Sequence, residues 1–126
     1  MADSECFFCC LPPSRILRES RTCLVIHDGY PVTNLHTLII PKTHTETYFD
    51  LSPEERKDIE AHLEEERKII LSTDESVSGF NIGINCGEDA GQTVMHCHIH
   101  LIPRRKGDID DPRGGVRGVI PAKRIY

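Results

Sequence analysis

The sequence predicts an α+β fold: an antiparallel sheet of about five strands with one long helix packed on a face. Three observations carry this. Only one stretch, beginning at Ser52, combines helix capping with apolar residues at helical spacing. The remaining patterned stretches are short, β-prone and separated by turn residues. Two of them, late in the chain, alternate apolar with polar or glycine residues, the period of a strand with two different faces. With 126 residues, of which 38% are hydrophobic and 28% charged, the chain has material for one core, and 1–126 reads as a single domain.

Taken in order, residues 1–13 contain the CxxC knuckle Cys6-Phe7-Phe8-Cys9. Arg15–Glu19, Thr22–His27 and His36–Ile40 follow as strands, with the turn sequence Asp28-Gly29-Tyr30-Pro31 between the last two. Ser52 is a helix N-cap, Pro53 takes the first helical position and Glu55 completes a capping box. Ile59, His62, Leu63, Glu66, Ile69 and Ile70 then form one stripe, apolar except at His62 and Glu66, and the helix is expected to end near Ser72. Phe80–Cys86 and His96–Leu101 are the alternating strands, which the loop Gly87–Thr93 helps join as a hairpin. If Phe80, Ile82, Ile84, Cys86, Cys97, Ile99 and Leu101 pack under the helix, then Asn81, Asn85, His96, His98 and His100 point the other way. Residues 104–126 form a glycine-punctuated basic arm, irregular rather than helical.

The net charge of −5 argues against a general polynucleotide partner, which needs a basic footprint. That total hides an asymmetry. Residues 1–103 carry eight Lys and Arg against seventeen Asp and Glu, whereas 104–126 carry seven against three. The basic arm reads either as a solvated tail or as a segment that meets a phosphorylated ligand or a second protomer. No basic n-region with an apolar run opens the sequence, and no apolar run reaches membrane-spanning length, so a cytoplasmic protein without a membrane partner is expected. Six cysteines are then available for metal binding or are simply buried.

Three imidazoles at strict period two, His96, His98 and His100, are a poor way to stabilise a sheet and a good way to build a site. Side chains at i, i+2 and i+4 on a strand stand roughly 7 Å apart from next to next, close enough to share work around one phosphate or metal. A neutral imidazole is also a competent nucleophile near physiological pH. The glycine-containing loop ahead of the triad can bring backbone N–H groups to a phosphate, with Gln92 and Thr93 as neutral donors, and Glu88 and Asp89 are expected to point outward. Cys6 and Cys9 alone could be redox-active, inert or half of a zinc site, since tetrahedral zinc needs two further ligands. Cys10 could stand in for Cys9, while Cys23, Cys86 and Cys97 read as small apolar residues.

The run His96-Cys97-His98-Ile99-His100-Leu101-Ile102 resembles the signature of the histidine triad family of nucleotide hydrolases and transferases. The similarity extends to Asp28–Val32, to His36–His44 with its Pro41-Lys42-Thr43-His44, to Gly91–Met95, and to Gly114–Pro121 in the tail; Leu35 stands where the family commonly has glycine. The resemblance implies that His98 attacks the α-phosphorus of a dinucleoside polyphosphate or nucleoside phosphoramidate, giving a nucleotidyl-histidine that water resolves. It implies that His100 orients the phosphate or protonates the leaving group, that Asp28 binds the ribose hydroxyls, and that Asn85, Gln92, Thr93 and His36 complete the nucleotide site. It further implies a structural Zn2+ held by Cys6, Cys9, His44 and His96, an AMP-containing purine nucleotide as partner, and a homodimer. His100 replaces the glutamine of the family's uridylyltransferase branch, which favours hydrolysis. A nucleotidyltransferase, or a nucleotide-binding regulatory protein with incidental turnover, stays open at this point.

Overall fold

The computed structural model describes residues 4–126, so the first three residues of the 1–13 segment lie outside the described residues. Five strands and one α-helix follow in the order β1 (Ile16–Glu19), β2 (Cys23–His27), β3 (Thr37–Pro41), α1 (Pro53–Thr73), β4 (Val77–Gly83) and β5 (Ile99–Arg105). The strands form one antiparallel sheet in the order β1-β2-β3-β5-β4. The α+β architecture read from the sequence is therefore the one observed.

α1 starts where its sequence dictates. The Ser52 hydroxyl accepts from the Glu55 amide at 3.1 Å and the Glu55 carboxylate accepts from the Ser52 amide at 2.9 Å, with Pro53 opening the helix. Its inward face buries Ile59 and Ile70 against Cys23, Val25, Ile39, Ile99 and their neighbours. The two polar interruptions of the stripe have partners on the β1–β2 unit. Glu66, 1% exposed, takes a two-point bond from Arg18 of β1, at 2.5 and 2.6 Å. His62 lies 2.8 Å from the Ser20 hydroxyl, which itself donates to Asp58.

The opposite face of the sheet is not open to solvent along its whole width. Phe8, in a 3-10 turn just after Cys6, packs with Leu11 and Ile16 over Ile26, Leu38 and Ile40. One transverse row of paired residues, Ile16, Ile26, Leu38, His100 and Gly83, crosses all five strands on this face. Part of the row lies under the N-terminal segment, and the rest is the floor of a cavity.

Several boundaries differ from those read in the sequence, three of them near the site or the tail. β4 stops at Gly83 rather than Cys86, and β5 begins at Ile99, so His96 and His98 lie ahead of the strand. Their segment leaves the ladder because its polar groups find other partners: the Cys97 amide donates to the Thr45 carbonyl, and the His96 ring is drawn in beside the N-terminal cysteines. At the other end, Arg104 and Arg105, read as the start of an arm, belong to β5.

Leu35, in the position where the resemblance points to glycine, keeps the backbone glycine would adopt, with φ +74°. That conformation costs a branched side chain about 1 kcal/mol. Packing of Leu35 against the cluster of Ile70, Val77 and Leu101 offsets it.

Removing one member of the Arg18–Glu66 pair leaves a carboxylate buried without its partner, whereas removing both does not. Arg18→Ala is expected to lower the unfolding free energy by about 3 kcal/mol in urea titration, the low end of the range because Arg18 remains partly exposed. The double variant Arg18→Ala/Glu66→Leu should lose less than the single one, and an equal or larger loss contradicts the account.

Candidate functional site

A cavity of about 920 Å³ opens on the sheet face away from α1. Ile26, Leu38 and Gly83 of the transverse row line it, together with Asp28, His36, Asn85, Thr93, His98 and His100. Of the residues singled out for a nucleotide site, six are brought together here. Gln92 is not among them.

Proton positions follow from the partners. The Nδ1 of His98 lies 2.8 Å from the main-chain carbonyl of His96. A carbonyl only accepts, so Nδ1 carries the hydrogen and Nε2 keeps its lone pair. The ring is backed by Phe8, with centroids 4.9 Å apart. His36, buried, accepts at Nδ1 from the Val32 amide at 3.0 Å, which puts its own hydrogen on Nε2. That Nε2 lies 2.9 Å from Nδ1 of His100 and 3.4 Å from a carboxylate oxygen of Asp28. The His36 hydrogen is thus donated to His100, and the His100 hydrogen sits on its own Nε2.

Asp28, His36 and His100 are close enough to be considered as a metal cluster. The hydrogen on His36 Nε2 argues for a hydrogen-bonded relay instead. Burial, reinforced by the neighbouring His98 and His36 rings and opposed by Asp28, pulls His100 down to about 4. Burial also lowers His36, against Asp28. Both imidazoles are therefore neutral at pH 7.

The loop before the triad is held by Gln92. Its carboxamide nitrogen donates to the carbonyls of Glu46 and Val94, at 2.7 and 3.1 Å, and its oxygen accepts from the Gly87 amide at 2.8 Å. Gln92 accordingly shapes the loop from inside, while Gly91, at φ +95°, and Thr93 face the cavity. Glu88 and Asp89 are exposed. Phe7, Phe8, Arg15 and Tyr30 also line the cavity and were not singled out as site residues from the sequence. The signal for two of them was present: residues inside a CxxC knuckle must follow wherever its cysteines are anchored.

That anchor is a second cluster. Ligand atoms of Cys6, Cys9, His44 and His96 all lie within 4.8 Å of one another. The His96 Nδ1 is 3.4 Å from each thiol sulfur and 3.2 Å from the His44 Nδ1, and Cys9 Sγ is 3.3 Å from His44 Nδ1. Bond lengths of about 2.0–2.1 Å to nitrogen and 2.3 Å to sulfur put the ligands of a tetrahedral zinc about 3.3–3.8 Å apart, so these edges fit. The His96 Nε2 donates to the Pro41 carbonyl at 2.7 Å, leaving the Nδ1 lone pair aimed at the thiols. Cys10 lies outside the cluster, its sulfur 3.5 Å from the Ser4 carbonyl. The three triad histidines thus do not share one site: His96, fully buried, turns to the cysteines, and only His98 and His100 line the cavity. Burial pushes the Cys23 and Cys97 thiols up to about 11 and about 12, leaving them as inert core residues.

Residues 12–107 match the HIT domain family. The chain belongs to this family. It is 40% identical over 81 residues to an asymmetrical bis(5'-nucleosyl)-tetraphosphatase of Schizosaccharomyces pombe, covering 64% of this chain but only 44% of that protein. An adenylylsulfatase of Arabidopsis thaliana is 35% identical over 112 residues, 83% of this chain and 55% of the relative. Among solved structures, a zinc-bound histidine triad family protein from Mycobacterium smegmatis superposes with a TM-score of 0.74 at 39% identity, covering 82% of this chain and 78% of that one. Hydrolases thus occur among the relatives of this HIT protein, and no helix of its described residues is long and apolar enough to cross a membrane.

Proposed function

We propose that this HIT protein hydrolyses purine nucleotides at the α-phosphate, acting on dinucleoside polyphosphates or nucleoside phosphoramidates through a nucleotidyl-His98 intermediate. The observation that carries this is the bond from His98 Nδ1 to the His96 carbonyl, which in the neutral ring puts the lone pair on Nε2 of a residue that lines the cavity. Attack by that lone pair forms the N–P bond while the bond from phosphorus to the leaving group breaks. The positive charge that develops on the ring is met by the same carbonyl. Water then attacks phosphorus and loses its proton to solvent, the N–P electron pair returns to Nε2 and nucleoside monophosphate leaves; an amine leaving group takes its proton from solvent in the first step.

His100 donates its Nε2 hydrogen to a phosphate oxygen. Being neutral at pH 7, it acts as a hydrogen-bond donor that orients the phosphate rather than as a strong acid for the leaving group. Thr93 and Asn85 add neutral donors on the cavity wall. Asp28 accepts from the ribose hydroxyls, its carboxylate positioned by the Tyr30 amide at 2.8 Å. The prediction for catalysis is specific. His98→Ala should lose turnover by roughly a thousand-fold or more while retaining nucleotide binding. Rapid quenching of the native protein should trap an acid-labile, alkali-stable adduct, and an unchanged rate in His98→Ala rejects the mechanism.

The Cys6, Cys9, His44 and His96 set is proposed to hold one structural Zn2+. When bound, the ion cross-links the N-terminal segment to the residue whose carbonyl orients His98, and supplies no open position for chemistry. Elemental analysis of protein purified without added zinc should find one zinc per chain, lost in Cys9→Ser and kept in Cys10→Ser. A well-folded, metal-free native sample overturns the site.

A homodimer belongs to the same reading. β4 is an edge strand with Ile82 half exposed, and unpaired strand edges need cover. Sedimentation at micromolar concentration should give a dimer, and monomer alone rejects this part.

A further inference from the structure

The nucleotide reading above leaves the base unassigned, and the geometry of the sheet addresses it. The transverse row acts as a ruler. His100, Leu38, Ile26 and Ile16 stand on consecutive strands from β5 through β3 and β2 to β1. Three inter-strand steps separate His100 from Ile16, about 14 Å at about 4.8 Å each. Arg15, the neighbour of Ile16, lines the same cavity. That separation is more than an arginine side chain spans, so Arg15 serves the far end of a nucleotide whose phosphate meets His98 and His100. Asp28, the ribose partner in the proposed reading, stands at the end of β2, between the two.

Arg15 is the only lysine or arginine lining the cavity among the described residues. Its Nη2 donates to the His27 carbonyl at 3.2 Å, and its guanidinium lies 5.9 Å from the Phe7 ring centroid. No carboxylate pairs with it among the described residues. Gly29 lies alongside it: a Cβ there would stand 3.6 Å from Arg15 Nη2, in ordinary contact, which places the guanidinium next to the end of β2. The far end of the cavity therefore combines aromatic and aliphatic surface, from Phe7, Phe8 and Ile26, with one cation that keeps unused N–H donors.

A guanidinium donates and never accepts. Guanine offers it two adjacent acceptors, O6 and N7, whereas adenine offers N7 beside an amino group that is itself a donor. We propose that Arg15 is a specificity-determining residue that favours a 6-oxopurine, guanine or hypoxanthine, over adenine. This rests on the nucleotide reading and departs from the adenine nucleotide that family resemblance implies.

Calorimetric titration of the native protein with GMP, IMP and AMP tests it. GMP and IMP are expected to bind about tenfold more tightly than AMP, the size of one good bidentate contact. Arg15→Met keeps an apolar stem without donors; it should weaken GMP and IMP about tenfold while leaving AMP within about twofold, erasing the preference. AMP bound as tightly as IMP by the native protein overturns the proposal, and so does a preference that survives in Arg15→Met. The native GMP, IMP and AMP comparison stands even if the variant does not fold. If none of the three nucleotides binds, the nucleotide reading itself fails, a result distinct from equal binding of all three.

Discussion

The arrangement of the site depends on one hydrogen bond, from His98 Nδ1 to the carbonyl of His96. It decides which nitrogen of His98 carries the hydrogen, and so whether the ring presents a lone pair or an N–H to the cavity. A main-chain acceptor does this only if its own residue is fixed. His96 is fixed from both sides of its ring, by the Pro41 carbonyl at Nε2 and by the thiols and His44 around Nδ1. The knuckle also brings Phe8 against the His98 ring, the two tilted by 60°. One local cluster therefore controls the tautomer, position and backing of His98, the proposed nucleophile, although none of its four side chains lines the cavity.

A second chain of protons works in the same sense. The Val32 amide sets the tautomer of His36, and His36 sets that of His100. Each ring is buried enough to stay neutral, so the order is maintained by hydrogen bonds rather than by charge. The backbone that places His36 is strained at Leu35, and the side chain that stabilises this strain reaches into the cluster formed by the far end of α1 with β4 and β5. Helix packing on one face of the sheet is thereby linked to ring placement near the other.

Much of this was legible in the sequence, for identifiable reasons. The capping box and Pro53 located the start of α1, because those residues satisfy the exposed amides of a first turn wherever the helix sits. Period-two alternation placed His98 and His100 on the face away from the helix. The same alternation carried the strand too far back, to His96, since periodicity describes a strand that continues, whereas a ring with four polar partners can leave the ladder. Gln92 shows the opposite limit. Its position before the triad pointed to phosphate, but a buried carboxamide must satisfy its own polar atoms: the Glu46 and Val94 carbonyls accept from its nitrogen, and the Gly87 amide donates to its oxygen. Arg15 could not be singled out from spacing alone, because its place in the cavity arises from pairing across four strands.

The charge balance of the site carries a last consequence. At the end of the cavity formed by His98 stand the neutral rings of His36 and His100, with Thr93 and Asn85, and the one Lys or Arg among its described lining residues lies across the sheet. No Lys or Arg of the basic tail is among the cavity's described lining residues. Arg104 and Arg105 are paired with Asp108 and Asp74, Arg124 is tied to the carbonyls of Asp111 and Arg113, and Arg113 and Arg117 lie over the Tyr126 ring. Gly114 permits this knot, since a Cβ there would collide with the Arg124 carbonyl oxygen. On the proposed reading, a phosphate bound here is held by oriented dipoles and not by net charge. Fixed cations would attract substrate and product monophosphate alike, which is binding without acceleration. Dipoles aimed at the transferring phosphate act most strongly where charge moves, and they leave the product free to depart.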